Sequence, residues 1–136
     1  MVWFLRILFS LVIASMLAVT TWASLQQSLG DFARSATFRD PWVVATLLDA
    51  YWAFIAFYVW VAWKESSTTV RVLWFPSLLL LGNFAIAAYM LRELSRVSAR
   101  APTREALGQV FTRRNPDGVL LPALLTAIAV VVYWLA

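Results

Sequence analysis

Four long apolar stretches separated by short polar ones set the pattern of the chain. Residues 2–23 are interrupted by one charge, Arg6; residues 41–63 by one charge, Asp49; residues 70–91 by Arg71 near the start and Gly82-Asn83 in the middle; and residues 119–136 by no charge at all. Nothing in them alternates with the period of two that a half-buried strand requires. Each is about as long as the 17–25 residues needed to cross the hydrocarbon core of a bilayer. Lipid accepts only helices or closed barrels, because every backbone amide must be satisfied within the segment. The pattern therefore predicts an all-α, integral membrane bundle of four transmembrane helices in a single domain covering residues 1–136, with spans 2–23, 41–63, 70–91 and 119–136.

The ends of the runs carry boundary signals. Trp3 and Trp22 bracket the first, about 28 Å apart at the helical rise, as interfacial aromatic belts do. Arg6 is near enough to that end to snorkel to the headgroups. A secretory signal peptide is the rival reading, with small residues around Thr21-Trp22-Ala23; the membrane helix is the reading kept. The second run begins at Asp40-Pro41, a capping carboxylate followed by a proline where no amide donor is needed. Only residues 65–69 separate the second and third runs, which predicts an antiparallel pair. Asn115-Pro116-Asp117-Gly118 signals a turn before the fourth.

The polar connectors add charge. The chain has eleven cations, all arginine except Lys64, and a net charge of +4. Residues 92–114 are arginine-rich, and Ala106, Leu107, Val110 and Phe111 recur there at helical spacing. That spacing suits either a short helix lying in the membrane interface, with Arg104, Arg113 and Arg114 on lipid headgroups, or a solvated basic loop. Glu65 and Glu93, at the ends of runs, read as solvated end charges. Four spans would put the connectors 24–40 and 92–118 on one side, and the positive-inside rule then places both termini outside the cytoplasm of a bacterial inner membrane.

Composition narrows the chemistry. The chain is 62% hydrophobic, with eight Trp and neither Cys nor His. Disulfides, thiol nucleophiles and the commonest metal and haem ligands are therefore missing, so no cofactor, metal centre or catalytic set is expected, and nothing points to nucleic acid. What remains is Asp49. A carboxylate that deep costs about 2.5–3.5 kcal/mol or more unless it has a partner. Counted inward from the side of the 24–40 and 92–118 connectors, Ser15, Asp49, Asn83 and Thr126 fall at similar depths, about 10–12 Å in if the helices are upright and continuous. They could be interhelical hydrogen-bonding glue. They could equally be a polar layer lining an intrahelical pocket for a cationic or hydroxylated apolar ligand, with Trp52 and Tyr58 as aromatic walls.

Asp40-Pro41-Trp42, Asp49, Trp63-Lys64-Glu65 and Leu81-Gly82-Asn83 in three closely spaced spans resemble small multi-span membrane proteins of uncharacterised families, a resemblance that implies membrane location. In architecture the chain is also similar to the four-helix sterol isomerases and sigma-2-type receptors, which implies a sterol or amine held against an acidic residue; Asp49 matches that pattern and the isomerases' histidine has no counterpart. Three functions follow. The favoured one is an accessory or structural subunit of a larger membrane complex or homo-oligomer. The second is a binder or carrier of a lipid, sterol or isoprenoid. The third is a membrane enzyme acting on an isoprenoid-like substrate with Asp49 as general acid.

Overall fold

The computed structural model describes residues 1–115 and 118–135. Among them the chain is all-α, with α1 (Val2–Gln26), α2 (Leu29–Arg34), a 3-10 turn (Thr37–Arg39), α3 (Pro41–Lys64), α4 (Thr68–Leu81), α5 (Asn83–Ser95), α6 (Thr103–Thr112) and α7 (Leu120–Leu135). Two of these, α1 and α3, are long and apolar enough to cross a membrane. Pro116 and Asp117 of the expected turn, and Ala136 at the end of the fourth run, lie outside the described residues.

The local signals place the long helices well. Asp40 accepts a hydrogen bond from the amide of Trp42 at 2.8 Å, and Pro41 opens α3. α1 runs three residues past its expected end at residue 23.

The third apolar run departs from expectation. It forms two helices instead of one, broken at Gly82, whose φ of +49° and ψ of −120° no residue with a Cβ adopts readily. The two form an antiparallel hairpin. Trp74 on α4 stacks edge-on against Tyr89 on α5 with ring centroids 4.9 Å apart, and Arg92 at the end of α5 returns to Glu65, just before α4. At 1.5 Å per residue these helices are about 20 Å long, and a single straight helix would hold residues 65 and 92 about 40 Å apart. A Cβ at Gly82 would sit 2.6 Å from Cζ of Phe54, so α3 packs directly on the hairpin tip.

The hairpin organises everything else. α1 lies along α5 with its N-terminus at the open end, where Arg6 donates to the carbonyls of Leu94 (2.8 Å) and Val97 (2.9 Å). Arg6 thus caps α5 instead of snorkelling. α7 lies on α4; Thr126 donates to Leu73 O at 3.0 Å and meets Ser77 Oγ at 2.9 Å, and Tyr133 donates to Leu80 O at 3.0 Å. The N-terminus therefore sits at the open end of the hairpin and the end of α7 near its tip, not at one level. Residues 103–112 do form a helix, and its apolar face turns inward: Ala106 and Val110 are buried with Val2, Met90 and Leu94.

The core runs along the hairpin, from Leu94 and Val70 at its open end to Leu78 and Ala85 near its tip. Residues 41–53 of α3 run on beyond the tip, and no residue in the most apolar 18-residue stretch of α3 is buried. Trp42 and Trp52 are 82% and 62% exposed, leaving a large apolar face uncovered by the chain's own elements.

Candidate functional site

At the open end of the hairpin, three segments bring charge together out of water. Lys64 ends α3, Glu65 follows it, and Tyr89, Arg92, Glu93 and Arg96 come round on the last turns of α5. Asn115 reaches in from the segment after α6, held by its own amide on Lys64 O at 3.0 Å and by Ser66, whose hydroxyl donates to Asn115 O. Lys64 and Glu65 are fully buried, and Glu93 and Asn115 are 3% exposed. Buried charge persists only when paired and hydrogen-bonded, and here each charged group has an opposite partner, although Glu65 Oε2 and Arg92 Nη2 make no hydrogen bond among the described residues. Lys64 pairs with Glu93, Arg92 with Glu65 at 2.8 Å, and Arg96 with Glu93 at 3.3 Å.

Asn115 joins the two ion pairs. Its Nδ2 donates to Glu65 Oε1 at 2.7 Å and Glu93 Oε1 at 2.9 Å, and its Oδ1 accepts from Arg96 at 2.8 Å. Tyr89 donates to Glu65 Oε1 at 3.0 Å. A side-chain amide suits this position because it offers donors to two carboxylates and an acceptor to a guanidinium without adding a charge.

An aromatic layer closes the cluster off from the apolar half. The Tyr89 ring takes edge-on contacts from Phe57 at 5.9 Å, Trp60 at 5.5 Å and Trp74 at 4.9 Å. Lys64 lies 5.8 Å from the Trp60 ring centre, and Trp60 donates its indole N–H to Phe111 O at 3.1 Å. On its outer side the cluster opens into a cavity of about 250 Å³ lined by Glu93, Arg96, Val97, Gln109, Arg113 and Asn115.

The residues singled out from sequence do not converge. Asp49 is exposed on the free part of α3, with no hydrogen bond or ion pair among the described residues. Ser15 is exposed and bonds back to Val12 O at 3.0 Å within its own helix. Asn83 is exposed at the hairpin tip, where the break at Gly82 has taken it out of mid-span. Thr126 is half-buried and ties α7 to α4. No two of the four bond to one another: the break at Gly82 moves Asn83 to the tip, and Ser15 and Asp49 lie on exposed helix faces away from Thr126. Trp52 is exposed, while Tyr58 packs on Phe75 at 5.0 Å and donates to Arg71 O at 3.3 Å. Arg104, Arg113 and Arg114 are exposed, and of these Arg113 lines the cavity.

Glu65 and Glu93 are buried cluster members, not solvated ends. The signal that could have found them is Lys64-Glu65 and Arg92-Glu93 at the two ends of a run with a glycine near its middle: folded at Gly82, the run brings the four charges face to face. Among the described residues no group of acidic side chains could hold a metal ion.

No curated protein and no solved structure matches the chain. A family does match, over residues 1–113, which takes in the hairpin and all of the cluster except Asn115. The chain belongs to that family, DUF1475, described as a protein of unknown function.

Proposed function

We propose that the protein is an accessory subunit that assembles inside a membrane by docking the Asp49 face of α3 against a helix of another chain. The observation that carries this is Asp49 itself, exposed, without a partner among the described residues, and the one charge in α3 before Lys64. In a bilayer such a carboxylate costs about 2.5–3.5 kcal/mol or more, which a cationic or donor side chain across the interface offsets. Trp42, Ala45, Asp49, Trp52, Ala53 and Ala56 share the exposed face at helical spacing, where the alanines on either side of Asp49 permit close helix approach and the two tryptophans offer large apolar contact. A second copy is a poorer partner. Its cations are gathered at the ends of the molecule, and two Asp49 carboxylates would repel.

In this reading α1 and α3 cross the membrane, and the hairpin enters from one side without crossing, since its helices are about 20 Å long against a core of about 30 Å. Non-helical backbone at depth is tolerated where protein covers it, and Phe54 covers Gly82. The charges then redistribute. Of the eleven cations, Arg34 and Arg39 alone belong to the far end, where Asp31 and Asp40 balance them. The excess of positive charge lies at the end that holds the N-terminus and the cluster, which the positive-inside rule assigns to the cytoplasm.

The test is native mass spectrometry of the protein extracted from its own membrane in mild detergent, wild type beside Asp49→Asn and Asp49→Leu. An assembly of fixed stoichiometry containing a second, different chain is expected for wild type, weakened by Asn and abolished by Leu. A lone chain, or an assembly indifferent to Asp49→Leu, would overturn the proposal; a homo-oligomer would replace the foreign helix with a second copy.

A further inference from the structure

The cavity beside the ionic cluster is built unlike the rest of the surface. Its floor is Glu93 and Asn115, both 3% exposed and fixed by the ion pairs. Its rim is Arg96, just after α5, with Gln109 and Arg113 from the end of α6, and Val97 forms one apolar wall. Glu93 is already answered twice, by Lys64 and by Arg96. Across the described residues of the site, Lys64, Arg92, Arg96 and Arg113 face only Glu65 and Glu93, so positive charge is in surplus. The Arg113 amide closes the last turn of α6 on Gln109 O at 3.3 Å, but its guanidinium makes no hydrogen bond or ion pair among the described residues, although it leans over a cavity whose floor is already neutralised.

We propose that this cavity binds a phosphate group, with Arg113 and the outward nitrogens of Arg96 holding its oxygens and Gln109 donating beside them. Guanidinium suits this task because its planar fork meets two phosphate oxygens at once. About 250 Å³ is more than a bare phosphate fills, and the remaining space, with Val97 on one side and the Asn115 and Glu93 oxygens on the other, fits a short hydroxylated or esterified arm on the phosphate. Glu93 is the carboxylate in the cavity lining, and its double pairing is what makes room for an anion beside it; Glu105, outside the lining, accepts one Gln109 N–H at 3.4 Å and leaves the other for the anion. The site stands apart from the Asp49 face, on the opposite half of the molecule, and does not depend on the docking proposed above.

The same chemistry has two sources, the headgroup of an anionic phospholipid and free phosphate, which separate experimentally. Thermal unfolding of the purified protein in a neutral detergent is followed with added inorganic phosphate, with chloride at equal ionic strength, and with detergent-solubilised phosphatidylglycerol. A saturable rise in unfolding temperature with phosphatidylglycerol alone identifies a lipid headgroup; a rise with inorganic phosphate as well identifies the phosphate group itself as sufficient. In either case Arg113→Gln should weaken the apparent affinity about tenfold or more, the loss of one charge-assisted contact. Arg104→Gln and Arg114→Gln, which remove the same charge outside the cavity, should leave it within about twofold. The Arg113 side chain is exposed and bonds to nothing among the described residues, so its replacement should leave the fold intact. No saturable effect of either additive, or equal weakening by all three arginine changes, would overturn the site in favour of diffuse attraction to a basic surface.

Discussion

Asn115 shows how much one side chain can hold together. It bridges both buried ion pairs, and no neighbour could replace its two donors and one acceptor. Asn115→Ala should lower unfolding stability by about 1–3 kcal/mol, the cost of orphaning buried polar groups, measurable by denaturant unfolding in detergent. Asn115→Asp should be worse, since it sets a third carboxylate against Glu65 and Glu93. Lys64 and Glu93 form a sharper pair of tests. Lys64→Met leaves Glu93 buried with Arg96 alone, and breaking such a pair typically costs about 3–5 kcal/mol. In the Lys64→Met/Glu93→Leu double variant, Arg96, already 36% exposed, can turn to water. Most of the loss should therefore be recovered, and a double variant as unstable as the sum of the singles would show the pair is not the unit. Asp49 stands out from sequence at this scale because a lone carboxylate in an apolar run is visible without any fold. Asn115 does not, because an asparagine before a proline reads as an ordinary turn.

At the scale of elements, the chain is legible wherever a helix is long and its ends are marked. Residues 41–63 were readable from Asp40, Pro41 and the length of the run, and the observed α3 differs by one residue. The third run was not, because hydropathy is blind to a reversal: α4 and α5 are each apolar, and their sum is as long as one span. The polar layer fell with it, since the depth assigned to Asn83 presumed a straight helix. Gly82, with the opposite charges at either end of the run, carried the information. Its positive φ and the Phe54 ring 2.6 Å from where a Cβ would lie make Gly82→Ala a test of the hairpin. The backbone cost alone is about 1–3 kcal/mol, with the clash added, and unfolding in detergent should show it. In a Phe54→Ala background the clash is relieved and the backbone term stays, so the glycine change should remain destabilising, by less. Full neutrality in that background would mean the chain can pass residue 82 as continuous helix.

Across the whole molecule, in the membrane placement proposed above, the hairpin decides which way the protein faces. With four full spans, residues 65–69 and 92–118 would lie on opposite sides of the membrane and both termini on one. With the hairpin, residues on either side of α4–α5 share a side, the N-terminus joins them, and the far loop between α1 and α3 stands alone. Because the chain has no cysteine, single cysteines report this directly. Thr68→Cys and Ser98→Cys are exposed positions flanking the hairpin, and Gln26→Cys lies at the far end of α1. With a membrane-impermeant maleimide applied to intact and then to opened cells, Thr68→Cys and Ser98→Cys should label together, only after opening. Gln26→Cys should label in intact cells. Labelling of Thr68→Cys and Ser98→Cys from opposite sides would restore a continuous third span and separate Arg92 from Glu65 by the thickness of the bilayer. The buried ion cluster could not then form, so this one comparison tests the topology and the existence of the site together.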